Sequence, residues 1–378
     1  MKKLFYLAAF ASVALVSCAE NELAPQANEL QPIGFASPVV TPNSRAQQEV
    51  GPSFSTTKDF NVWARYYDNA TDTYNAFANG TDYIGKAPAT PITAKYDGTA
   101  KTWYPMDGAN KFYWPKNGSL TFMSYYPTDI ASFVTMGANG LTITDYTVSN
   151  AVDAVQHDIL FSDRIYDQKV DNQITATPYN GIQFNFHHAL SAIIFNVKKG
   201  GDYTGTTLRL HNIKLNNVAS KGTFSQNLED ANGKLTNLPP AEVSGDESTT
   251  PAAWAVSVPA TYQLKATDDI NYVLTTTAYY TSTGSTSEPT YDADGFRNAD
   301  WILLPQQLNV ATPVQLEINY SIQHDGYAEL MQVHTQNLTG FWEIGKRYIY
   351  NITISLDPIT LAPSVDVWVA GAGTDVTP

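Results

Sequence analysis

The chain has 378 residues, with 22 Lys and Arg against 36 Asp and Glu, and a formal net charge of −14. That balance argues against nucleic acid as a partner, because phosphates demand a basic patch, and against charge-driven adsorption to anionic lipid. A tyrosine count of 23, with abundant Thr, Asn, Gly and Pro, favours strands and turns over helices.

Lys2 and Lys3 open the chain, and an apolar run from Leu4 to Val16 follows. The run has the length of a signal-peptide core and falls short of the roughly 20 residues a membrane-spanning helix needs. It ends in Leu15-Val16-Ser17-Cys18, which is similar to a bacterial lipobox, where the thiol receives a diacylglyceryl group. Residues 1–17 are therefore expected to be a lipoprotein signal peptide and Cys18 the lipidation site, holding the precursor on the outer membrane. Two or three acyl chains, each buried methylene contributing roughly 0.8 kcal/mol, hold firmly where one would not. Cys18 is the sole cysteine, so neither an internal disulfide nor a multi-cysteine metal site is possible. Residues 19–29 read as a flexible tether, and Leu30 to Val40 as an apolar, strand-like segment.

Beyond the leader, apolar residues recur with period two. Leu120, Phe122 and Ser124 alternate with Thr121, Met123 and Tyr125 in a strand covered on both faces. Ile182, Phe184 and Phe186 share one face, and Ile193, Ile194, Phe195 and Val197 form a buried run. Leu208, Leu210, Ile213 and Leu215 follow, then Val256 and Val258, then Tyr272 through Tyr280. Val314, Leu316, Ile318 and Tyr320 alternate, as do Tyr348, Tyr350, Ile352, Ile354 and Leu356. Asn117-Gly118, Asn139-Gly140, Asn180-Gly181, Asn232-Gly233 and Asp294-Gly295 supply turns between them. No apolar pattern of helical period persists beyond about two turns. Short strands at this spacing predict an all-β protein of packed β-sandwiches, and roughly 330 residues suit two domains. The polar stretch Tyr166 to Gly181 is the expected linker, which places the domains at 46–175 and 176–378. Gly245 to Pro251 and Thr281 to Asn298 read as surface loops.

Residues that could carry chemistry are few. His187 and His188 are adjacent, so on a strand they point to opposite faces and cannot share a metal. The remaining histidines show no His-Glu-x-x-His spacing, and neither a Gly-x-Ser-x-Gly elbow nor a phosphate-cradling glycine loop occurs. Asp292 and Asp294 sit in polar loop sequence, where a weak calcium site is the single metal reading left open. The expectation is a non-enzyme without cofactors. Trp103-Tyr104-Pro105, Phe112-Tyr113-Trp114-Pro115 and Tyr125-Tyr126-Pro127 crowd rings together. They suit plugs for the core and ends of a thin sandwich, with a sugar-stacking platform as the alternative.

In chain order, the lipobox at Cys18 is followed by Ile33-Gly34-Phe35, Ser44-Arg45-Ala46, Tyr113-Trp114-Pro115 and Gly118-Ser119-Leu120-Thr121-Phe122. Then come Tyr125-Tyr126-Pro127, Phe186-His187-His188-Ala189-Leu190-Ser191, Leu303-Leu304-Pro305-Gln306-Gln307, and Trp342-Glu343-Ile344-Gly345-Lys346-Arg347-Tyr348-Ile349-Tyr350. Over nearly its whole length the chain resembles the fimbrillin family of the Bacteroidales, the lipoprotein pilins of type V pili. The resemblance implies two tandem transthyretin-like β-sandwiches. It also implies a first strand removed by an arginine-specific protease, and subunits joined by donor-strand exchange with other fimbrial subunits.

The residues themselves fit these expectations. Arg45 is the only basic residue between Cys18 and Thr57, so a trypsin-like protease finds one leader site, between Arg45 and Ala46. Residues 18–45 then form a tether and removable strand, with Ile33 and Phe35 the apolar residues displaced. At the other end Ile359, Leu361, Pro363, Val365, Val367 and Val369 alternate, set off by Asp357-Pro358. This run, 359–369, reads either as a donor strand or as a last strand packed on its own domain, and Pro363 cannot donate to a ladder. The expected function is a stalk or tip subunit of a surface fimbrium supporting adhesion, with a host receptor or glycan as further partner. The alternatives are a glycan-binding surface lipoprotein and an anchor subunit that keeps its leader.

Overall fold

The structure, a computed structural model, describes residues 31–40, 54–68, 80–137, 140–150, 158–172, 180–226, 252–263, 270–276, 280–281, 301–356 and 360–367. Strands dominate, and the helical elements among the described residues are two 3-10 turns, Thr128–Phe133 and Val170–Asn172.

A ten-stranded sheet occupies the amino-terminal half. From one side it runs through Thr102–Asp107, Ile92–Asp97, Phe60–Tyr67, Ser119–Tyr126, Leu160–Ser162 and Asn185–His188 to Val39–Val40. Strict alternation sets its two faces. Phe60, Val62, Ala64, Leu120 and Phe122 enter one core with Phe184 and Phe186, while Trp63, Met123, Tyr125 and Phe161 enter another. The double-sided burial expected of Leu120 to Tyr125 is thus present. Gly118, Gly140 and Gly181 take positive φ at three of the anticipated Asn-Gly turns, while Asn232-Gly233 and Asp294-Gly295 lie outside the described residues.

The carboxyl-terminal half is a sandwich. One sheet of five strands pairs Ser191–Lys199 in parallel with Lys346–Ile354 and ends on Thr360–Val367. The facing seven-stranded sheet is built on Thr206–Gln226, a 21-residue strand. Gln315–His324 pairs with its first half, and Ala252–Gln263 and Gly140–Thr147 with its second. Register shifts near Leu210, Leu215 and Gly222, with Asn217 at φ 63°, let one strand change partners along its length. Between the sheets pack Ile193, Phe195, Val197, Leu208, Leu210, Ile213, Leu316, Ile318, Tyr350 and Ile352.

The halves interlock across residue 175. Val134–Gly137 and Gly140–Thr147 join the seven-stranded sheet, whereas Asn185–His188 belongs to the ten-stranded one. The anticipated linker begins as a strand, since Ile165–Gln168 pairs with Ser119–Tyr126. Period-two alternation marks a segment as strand without revealing its sheet, and polar residues on an edge strand look like linker.

Candidate functional site

The segment 31–40 is the keystone of the amino-terminal half. The Ile33 amide donates to the Phe112 carbonyl at 2.8 Å, and the Trp114 amide donates to the Gln31 carbonyl at 2.9 Å. Phe35 exchanges both backbone hydrogen bonds with Trp103, at 2.8 and 3.1 Å. On the opposite flank the amides of Ala36 and Val39 donate to Ile182 and Phe184, at 3.0 and 2.9 Å, and the Ile182 amide donates to the Gly34 carbonyl at 2.8 Å. Val39–Val40 then runs parallel to Asn185–Phe186. The segment therefore joins the Trp103 end of the ten-stranded sheet to its Asn185–His188 end and closes the sheet into a ring.

Its side chains fill the ring. Ile33 and Phe35 are fully buried. The Phe35 ring lies 5.0 Å from that of Phe184, 5.6 Å from Phe122 and 5.8 Å from Phe60. Each such side chain contributes about 1.5–3 kcal/mol by burial. The backbones approach closely at two glycines. A Cβ on Gly34 would lie 2.6 Å from the Thr102 methyl, and one on Gly181, at φ +129°, 2.1 Å from the Gly34 oxygen.

Polar contacts brace the wall against which Val39 lies. Asp163 accepts from the side-chain Nδ2 of Asn185 at 2.6 Å and pairs with His187 at 2.8 Å. Asp158 pairs with His188 at 2.6 Å. Both histidines are buried, and each is tied to its own carboxylate across the strand Leu160–Ser162. Among the described residues no group of three or more His, Cys, Asp or Glu is placed to hold a metal.

The strand Thr360–Val367 lies antiparallel to Lys346–Ile354 on its own sheet edge, with Val365 opposite Tyr348 and Pro363 opposite Tyr350. Val365 is 53% exposed. For Leu361 and Val367 the backbone alone is described. Cys18, Arg45, Ala46, Asp292, Asp294, Ile359 and Val369 lie outside the described residues. The aromatic run divides. Trp103 and Trp114 are core residues, and the Trp103 indole donates to the Lys58 carbonyl at 3.1 Å. Tyr113 is 40% exposed, and Lys111 lies 3.5 Å over the Tyr104 ring. The two flanks of the segment, Trp103 with Phe112 on one side and Ile182 with Phe184 on the other, escape a reading of the sequence. Ile182 and Phe184 are visible as alternation, but the pairing of Phe112 with Ile33 and of Trp103 and Ile182 with Phe35 is not.

A model of the fimbrillin-like family matches residues 45–368. The chain belongs to the fimbrillin-like family. Membership sets its coarse role, a structural subunit of a cell-surface fimbrium. The fold of this fimbrillin-like chain is shared with a fimbrial protein from Bacteroides vulgatus, at 17% identity and a TM-score of 0.51, over 90% of this chain and 100% of that one. Similarity extends to a Bacteroides ovatus protein named for a proposed role in cell adhesion, at 17% identity and a TM-score of 0.44, covering 91% and 99% of the two chains. It extends also to the fimbrial anchor protein Mfa2 from Porphyromonas gingivalis, at 10% identity and a TM-score of 0.27, covering 90% and 100%. No curated protein matches the sequence.

Proposed function

We propose that this fimbrillin-like chain is exported as a lipoprotein through Cys18, is cut between Arg45 and Ala46 by an arginine-specific, trypsin-like protease, and polymerises as a stalk or tip subunit by donor-strand exchange. The observation that carries the reading is the double pairing of Phe35, to Trp103 on one flank and Ile182 on the other. A segment that closes a ring from inside leaves a groove with two unpaired edges when it departs, and open edges recruit strands. The carboxyl-terminal run Ile359 to Val369 of another subunit supplies the replacement, leaving its own sheet edge to do so. Six apolar side chains give a gross term of about 10 kcal/mol or more, from which association subtracts several kcal/mol. Charge does not drive assembly. From Ala46 onward 19 basic residues face 33 acidic ones, so cleaved subunits still repel.

The test is the amino-terminal residue of protein sheared from the cell surface. Ala46 is expected. A lipidated Cys18 at the terminus of the assembled protein would instead assign the chain to the pilus base, as an anchor that keeps its leader.

A further inference from the structure

The leader segment and the carboxyl-terminal strand carry one pattern. Ile33-Gly34-Phe35-Ala36-Ser37-Pro38-Val39 is matched without a gap by Ile359-Thr360-Leu361-Ala362-Pro363-Ser364-Val365. Ile, Ala and Val recur in place, a large apolar residue stands third, and Ser and Pro are transposed. We propose that the strand of a second copy of this chain enters the groove in this one register. Ile359 takes the place of Ile33, Leu361 that of Phe35, Ala362 that of Ala36 and Val365 that of Val39. The inference rests on the donor-strand reading above, and adds to it the identity of the partner and the alignment of its strand.

The groove selects the register through the amides it accepts. Ile33, Phe35, Ala36 and Val39 donate to the carbonyls of Phe112, Trp103, Ile182 and Phe184. Pro38 has no N–H, and among the described residues the Ser37 amide has no backbone partner. A proline at the Ser37 place therefore deletes no bond, and that is where Pro363 falls. Sliding the strand by two residues in one direction puts Pro363 at the Phe35 place, and in the other direction at the Val39 place. Each slide removes a wall hydrogen bond. A slip of one residue turns the apolar set away from the core.

Two places fit less well than the leader does. Thr360 stands where a Cβ on Gly34 would meet the Thr102 methyl at 2.6 Å, and Asp366 stands at buried Val40. The covalently attached leader is thus the better occupant, and exchange waits until it is severed.

The test uses full-length precursor nicked by limited trypsin digestion and a fluorescent synthetic peptide of residues 357–369. The wild-type peptide binds. Pro363→Ser and Ser364→Pro peptides bind within about threefold of it, since neither changes an amide the walls use. Leu361→Pro, Ala362→Pro and Val365→Pro peptides each bind at least about tenfold more weakly, because each deletes such an amide. Thr360→Gly and Asp366→Val peptides bind more tightly than the wild type. A gain of tenfold or more from Pro363→Ser, or proline tolerated at 361 or 365, shows another register and overturns this inference while leaving strand donation intact. If no peptide binds although the nicked protein polymerises, the carboxyl-terminal strand is not the donor and both readings fall.

Discussion

Phe35 and Trp103 stand opposite each other in an antiparallel bridge and exchange both of their backbone hydrogen bonds. Because Phe35 is bridged on its other flank to Ile182, a single residue of the segment 31–40 holds two ends of one sheet together. Closure of this kind removes edges, and loss of the segment would reopen them.

Phe35→Ala should therefore destabilise the uncut precursor by about 3–5 kcal/mol, the usual cost of removing a buried phenylalanine. Urea unfolding of the precursor measures it. Polymer assembled from trimmed subunits should be unaffected, because the leader has left. A polymer weakened equally would mean that Phe35 stays in place.

Arg45→Ala should abolish SDS-resistant ladders on the cell, and so should truncation at Asp357. Limited trypsin treatment of the purified wild-type precursor should promote them. Ladders persisting in the Arg45→Ala protein would show that cleavage elsewhere, or none, governs assembly.

The two halves should unfold as one. Phe161, on the outer face of the ring, lies 5.0 Å from Phe224 of the long strand. Gln226 donates to the Ser162 carbonyl at 3.0 Å and accepts from the Leu141 amide at 3.3 Å. Phe224→Ala should lower a single calorimetric transition by about 3–5 kcal/mol. Two separate transitions in the wild type would show that this seam does not couple them.

Stability should fall at alkaline pH. Burial pushes the phenols of Tyr125, Tyr146 and Tyr350 up to about 12. Hydrogen bonds from the Asn61 amide to Tyr125 and from the Trp342 indole to Tyr350 pull the other way. Their unfolded value is about 10, so the fold binds protons that the unfolded chain releases. The contribution is fully present below pH 10 and is lost as pH rises through 12. Tyrosinate absorbance and circular dichroism should change together in that window. Ionisation of all 23 tyrosines near pH 10 without loss of the fold would contradict the burial of these rings.

Trp114→Ala should cost about 3–5 kcal/mol of stability and change no sugar binding. The indole packs edge-on to Phe122 at 6.0 Å, inside the ring core. Glycan-array binding lost in a folded Trp114→Ala protein would restore the platform reading.

Residue order alone settles the class of the elements and much of their burial. The alternation through Leu120 to Tyr125 places side chains on both faces of a strand, and a strand paired on both edges with apolar residues on both faces must be central. The pattern of Val314 to Tyr320 and of Tyr348 to Ile354 likewise follows from side-chain periodicity, a local property. Sheet membership is not local. Gly140–Thr147 joins a strand some 80 residues further on, and Asn185–His188 turns back to the ring, so no linear boundary could be read from composition. The same holds for the groove. Ile33 and Phe35 are legible as apolar strand residues, but their walls come from Trp103, Phe112, Ile182 and Phe184, far apart in the chain. Only folding brings two edges to within one strand's width, because backbone hydrogen bonds between strands depend on register and carry almost no signature in side-chain type.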